Sequence, residues 1–379
     1  MHAQNPQKYQ LDTDFWLSFT DGVELQGCLA VRRKIGEANW QTEHRMWPVP
    51  KDALYLNSPD VTEQTVHRLE PHKPTHPTIG LDDDPAREAL YRPLPPPQGK
   101  PDTPPQWWTE TDFIDWLCAK SVVAHSRADR AKLSLSVRSD IHVSIEPETY
   151  TARESFLYAK EIVENIQRNT GFDGEIAVDF YEWAIGLSLE LPSLPEHFPP
   201  NILKLGGKQY LTFAKDLKPT NGSQSLPDLF AFPDALKDAV DNRPSDRPLR
   251  GIRLLVITPA HFGKNAWLPE GFANHNDQYI GKLCKTHDNQ PSQVILPDKL
   301  VLRAAFVPRP AHVSGWDYAN KCPKPTRRLV APGSVYFFEK SDGSAFTISD
   351  LQSLWLASIG CNTKDGYGLV VPGIWEPPS

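Results

Sequence analysis

Four groups of residues combine cations, glycines and rings at spacings suited to holding a phosphate chain. The segment Asn362-Thr-Lys-Asp-Gly-Tyr-Gly368 packs Lys364, Gly366, Tyr367 and Gly368 into one short loop. A lysine supplies charge, glycines admit close backbone approach and a ring offers a stacking face, which suits a phosphate-binding turn. A tight turn that needs positive φ accounts for the glycines equally well. Lys321, Lys324, Arg327 and Arg328 place four bases in eight residues without an acid, in a proline-rich stretch that cannot be helical. Such a run reads as an arm along a nucleic-acid strand, a solvated basic loop, or a contact to an acidic protein. Arg138, His142 and Arg153 flank an expected strand-to-helix turn, where His142 fits a core or capping role as well as a contact. Lys204, Gly206, Gly207 and Lys208 either clamp a phosphate or form a plain β-turn. Trp107 and Trp108 can stack bases, yet paired aromatics ahead of a helix more often anchor it.

No catalytic constellation accompanies these groups. The sequence has no P-loop, no dinucleotide-binding glycine pattern and no GxSxG elbow. His72 and His76 have the spacing of a helical metal pair, but Pro71, Pro74 and Pro77 forbid the helix. The five cysteines lie far apart without a CxxC pair, so neither a disulfide framework nor a zinc knuckle is indicated. Catalytic residues, metals and cofactors are therefore not expected.

The elements that must position these groups are short and interrupted. Among 379 residues there are 37 prolines, and runs at 71–77, 92–105 and 191–200 mark surface excursions or boundaries. The net charge is −7, and residues 1–120 hold 18 acids against 12 bases, so the acidity lies at the front and the remainder is nearly balanced. That balance excludes a protein coated in nucleic acid but permits a basic strip. The polar opening MHAQNPQKYQ is unlike a signal peptide, and no apolar run reaches membrane-spanning length, so a cytoplasmic protein without membrane contact is expected.

Thr109 followed by Phe113, Trp116 and Leu117 predicts a capped helix. The spacing of 133–152 predicts a strand, and the charged run 154–168 a helix. Segments 175–183, 209–214, 253–259, 299–307 and 334–339 predict further strands. Thr347 or Ser349 caps a last helix with Leu351, Leu354, Trp355 and Ser358 on one face and Gly360 as its left-handed terminator. Strand, helix, glycine loop and strand then follow in the order of the second half of a βαββαβ unit. The class is α+β.

That last segment resembles the RAMP superfamily, whose glycine-rich loop lies between the second helix and the final strand of a ferredoxin-like fold. SGWD (314–317), PKPTRRLVAPGSVYFFE (323–339), VITPAHF and the following WLP (256–269), LGG (205–207), RSDIHVSIEPETYTA (138–152) and WPVPKDALYL (47–56) look, in that order and spacing, like the Cas-five-group subunit of the type III-B CRISPR Cmr effector complex, its third subunit. The resemblance spans roughly residues 25–376. It implies two ferredoxin-like RAMP domains with long proline-rich insertions, an N-terminal one over 1–190 and a C-terminal one with the glycine-rich loop over 191–379. It also implies a non-catalytic role, binding the 5′ tag of the guide RNA (crRNA). The implied partners are the large polymerase-like subunit and the backbone RAMP subunits, with target RNA met indirectly. Two departures stand out: the family's opening strand and helix are missing, so the first domain is expected to be incomplete, rebuilt or completed by a neighbouring chain, and Lys208, Gln209 and Tyr210 replace the family's acidic residue and arginine. The equivalent type III-A subunit and a RAMP-type guide-processing endoribonuclease are the alternatives.

Overall fold

The computed structural model describes residues 22–37, 39–57, 65–74, 85–94, 99–169, 179–190, 202–205, 210–214, 228–286, 292–317 and 321–378. Two antiparallel sheets carry the fold, which is mostly strand with few helices. In the N-terminal half, β1 (Glu24–Lys34), β2 (Arg45–Pro48) and β3 (Trp107–Thr109) are followed by helix α1 (Glu110–Leu117). Next come β4 (Ser136–Ile145), β5 (Ala152–Glu164), β6 (Ile166–Asn169) and β7 (Asp179–Glu190). The first sheet runs β6-β7-β1-β2-β3, while among the described residues β4 and β5 pair only with each other.

The C-terminal half begins with β8 (Gly251–Val256), β9 (Phe272–His275), β10 (Gln278–Gly281) and β11 (Leu300–Phe306). Short strands β12 (Ala311–Val313), β13 (Trp316–Asp317), β14 (Cys322–Pro323) and β15 (Arg327–Leu329) form an arm. The chain closes with β16 (Val335–Lys340), helix α2 (Ile348–Leu354), β17 (Ala357–Ser358) and β18 (Leu369–Trp375). The second sheet runs β9-β10-β11-β16-β8-β18-β17. Its centre, β18-β8-β16-β11, is antiparallel at every contact. The β8–β11 crossover holds a 3-10 turn and the β9–β10 hairpin where a ferredoxin-like unit would carry its first helix.

Every residue of β8 (GIRLLV) and of β18 (LVVPGIW) is buried, as central strands covered on both faces require. Helix α1 covers part of this sheet. Thr109 Oγ1 accepts from the Asp112 amide to start it, and Phe113, Ile114, Trp116 and Leu117 turn inward. Trp47 stacks on Phe113 at 4.6 Å between centroids. Trp108 is buried, donates from Nε1 to the Tyr55 hydroxyl at 2.8 Å and packs edge-on against Trp116 of α1, which it anchors, while Trp107 packs against Trp183 in a separate small cluster. One contiguous core thus draws on both halves of the chain.

An ion pair crosses that core. Arg253 Nη1 donates to Asp52 Oδ2 at 2.9 Å, and Trp116 Nε1 donates to Asp52 Oδ1 at 2.9 Å. Both charged groups are fully buried, and removal from water pulls the Arg253 guanidinium below its usual range against the opposing pull of Asp52.

Two sequence expectations are corrected. The run 154–168 is not a helix: Ala152–Glu164 is strand β5, held in register with β4 from Ser136↔Glu164 to Val143↔Leu157. Cross-strand pairing, with Val163 and the rings of Phe156 and Tyr158 suited to a pleated surface, overrides the helix propensity of its Glu, Lys and Ala residues. Helix α2 does begin at Thr347, with a reciprocal capping box to Asp350, but it stops at Leu354. Leu356 takes φ +54 and Ser358 lies in β17, so Gly360 is not the helix terminator.

Candidate nucleic-acid interface

The four basic residues of 321–328 lie on a two-rung hairpin. β12 and β15 pair through His312↔Arg328 and Val313↔Arg327, β13 and β14 pair through Trp316↔Pro323, and the Lys324 amide donates to the Gly315 carbonyl at 2.8 Å between them. Buried Leu329 roots the arm, and Val330 bridges to Ala260. Prolines 323 and 325 keep these strands short, as exposed edges need. From Arg309 to Leu329 the arm carries five cations (Arg309, Lys321, Lys324, Arg327, Arg328) and one carboxylate, Asp317. His312, Lys321, Lys324 and Arg328 are exposed, and the Trp316 indole is 49% exposed among them. Trp316, His312 and Arg309 are the members missed by sequence reasoning; a ring within eight residues of Lys324 was the available signal.

The structure brings this arm to the C-terminal glycine loop. Arg327 Nη1 lies 3.5 Å from Asp365 Oδ2, joining two groups 38 positions apart in sequence. The loop itself is a 3-10 turn over Thr363–Asp365, entered by Asn362 at φ +56 and left by Gly366 at φ +84. Three of its amides, and that of Leu369 just after it, are already engaged. Asp365 N donates to the Asn362 carbonyl, Gly366 N to the Thr363 carbonyl, Gly368 N to the Pro259 carbonyl and Leu369 N to Thr258 Oγ1. Thr258 Oγ1 in turn donates to the Gly366 carbonyl at 2.7 Å. The loop therefore offers the half-buried side chains of Lys364 and Tyr367 to a ligand, while Gly366 and Gly368 serve close packing against Leu25 and the Ile359 backbone.

The other candidates fall elsewhere. Arg138 and His142 lie on β4 and Arg153 on β5, so the expected strand-to-helix turn is the loop of a strand-to-strand hairpin. Arg138 pairs with Asp140 and Glu164, Arg153 reaches Glu146 at 4.0 Å, and His142 stacks on Tyr158 at 5.4 Å. Lys204 is in a strand, Ile202–Leu205, that pairs with Tyr210–Phe213; Gly206, Gly207 and Lys208 lie outside the described residues. His76 does too. Among the described residues no cluster of three or more His, Cys, Asp or Glu side chains is placed to hold a metal, and no helix is long and apolar enough to cross a membrane.

Fold and surface together define a sheet-rich α+β protein that projects a cationic, tryptophan-bearing arm from its C-terminal half. Residues 17–375 match the family model described as CRISPR-associated protein (Cas_Cmr3), and the chain belongs to that family, the third-subunit family of type III-B CRISPR complexes. Among solved structures, it is similar to a chain in the cryo-EM structure of a type III-B Cmr-beta bound to cognate target RNA. The identity is 10% and the TM-score 0.30, over 83% of this chain and 65% of that chain, so this chain spans slightly under two thirds of the neighbour's length. No curated protein matches the sequence.

Proposed function

We propose that this chain is a non-catalytic RNA-binding subunit of its type III-B complex, in which the 309–329 arm and Lys364 hold the 5′ tag of the guide RNA. One observation carries the reading: an exposed arm with five cations, one carboxylate and a half-exposed tryptophan stands beside the glycine loop. A single strand is held by cations at its phosphates and by rings on its splayed bases, and this arm supplies both. Family resemblance adds the rest of the proposal. The chain links the large polymerase-like subunit to the backbone subunits in the cytoplasm. Its halves, divided near residue 190, are ferredoxin-like units, the second with its first helix replaced by the β9–β10 hairpin.

The test uses the full chain and a single-stranded RNA of the tag sequence, followed by fluorescence anisotropy across a salt series. Replacing Lys321, Lys324 and Arg328 by alanine removes three phosphate contacts, so the slope of log K against log salt is expected to flatten by about 2. An unchanged slope would sink the reading. Trp316→Ala is expected to weaken binding roughly 5- to 150-fold with little change in slope, because stacking contributes about 1–3 kcal/mol per base without releasing counterions. Repeat RNA incubated with the chain should stay intact; cleavage at a defined site would favour the processing endoribonuclease.

A further inference from the structure

The β4–β5 hairpin has a face that the proposed RNA contact leaves unexplained. Strand alternation places Val137, Ile141 and Val143 opposite Val163, Ala159 and Leu157 on one side, with the Ser139↔Glu161 pair between them. These are among the most exposed large apolar side chains described: Ile141 is 73% exposed, Leu157 70%, Val163 58% and Val137 56%. His142 and Tyr158 stack on the opposite side, beside the Asp140↔Lys160 pair. A two-stranded ribbon alone is marginally stable in water, and a stripe of this kind marks a surface that another molecule covers.

Charge decides what covers it. The hairpin carries six carboxylates (Asp140, Glu146, Glu148, Glu154, Glu161, Glu164) against three cations, Arg138, Arg153 and Lys160. Arg138 and Arg153 are matched by the hairpin's own acids. An acidic ribbon whose aliphatic face also carries the Glu161 carboxylate repels phosphate, and that face offers no ring to a base. A second copy would set one acidic hairpin against another, which is also unfavourable. An aliphatic protein surface rimmed by lysine or arginine satisfies both the stripe and the charge. We propose that the Val137–Ile141–Val143/Leu157–Val163 face of the hairpin docks on such a surface of another protein subunit of the complex.

The test uses the complex reconstituted from the full chain, its protein partners and guide RNA. With p-benzoyl-phenylalanine in place of Ile141, irradiation is expected to join the hairpin to one other protein subunit, at a peptide rich in basic residues. Adducts to RNA, adducts to a second copy of this chain, or none in the assembled complex would each overturn the proposal. Ile141→Ser with Leu157→Ser is expected to lower incorporation into the complex about tenfold, while the isolated chain keeps its urea midpoint and its RNA affinity. Full incorporation overturns the proposal as well. Should the midpoint fall instead, the crosslink identity decides.

Discussion

Asp52→Ala is expected to destabilise the protein by about 3–5 kcal/mol, because it leaves the Arg253 guanidinium charged and uncompensated inside the core. Asp52 reaches β8 from the N-terminal half, and it also accepts the Trp116 indole proton, so its loss orphans a second buried donor. Urea denaturation followed by tryptophan emission reads the change as a fall in midpoint, and a midpoint unchanged within error would remove the pair from the account of stability. The double variant Asp52→Ala with Arg253→Met separates charge from packing. If uncompensated charge dominates, the second change restores most of the loss, since an apolar side chain of similar length needs no partner there. If it restores nothing, the cost comes from the vacated volume and from Trp116. The pair also joins the two halves of the chain, so in Asp52→Ala the halves are expected to lose cooperativity and unfold over a broader range.

That ion pair shows where sequence reasoning stops. Asp52 and Arg253 are 201 positions apart, and nothing in local pattern says that a central strand reading GIRLLV turns its arginine onto an aspartate from the other half. What was legible is local. Thr109 and Thr347 start helices where capping chemistry places them, and the strands at 251–256, 300–306 and 335–340 overlap the expected runs 253–259, 299–307 and 334–339. The basic run 321–328 was legible as a non-helical cationic stretch, since proline fixes that locally. Its pairing with 311–317, which puts Trp316 among the cations, depends on register and was not. Strand β5 was misread for the opposite reason: its composition favours a helix, and only the partner strand tells otherwise. The family itself was legible from the order of several motifs, none of them sufficient alone.

Gly368→Ala and Lys364→Ala, only four residues apart, should have opposite signatures. Gly368 sits at φ +79, where an L side chain is strained by about 1–3 kcal/mol. A Cβ there would collide with the Ile359 carbonyl oxygen, a backbone atom that cannot rotate aside. Relief requires opening the β17–β18 pairing, which the Ile359 amide to Gly368 carbonyl bond at 2.9 Å extends. The combined cost is expected to reach about 3 kcal/mol or more, from strain and overpacking together. Gly366→Ala should cost less, since its obstacle is the flexible tip of Leu25. Lys364 is half-buried on the surface of the turn, and its truncation is expected to change stability by no more than about 0.5 kcal/mol. It should flatten the salt dependence of RNA binding by about 0.7, the share of one phosphate contact on a single strand. Measured side by side, thermal midpoint and salt slope divide the loop's two duties. A shift in slope for Lys364→Ala at constant midpoint assigns the cation to RNA. A loss of binding confined to Gly368→Ala, in step with its midpoint, would make the loop a packing device and leave the guide to the arm alone.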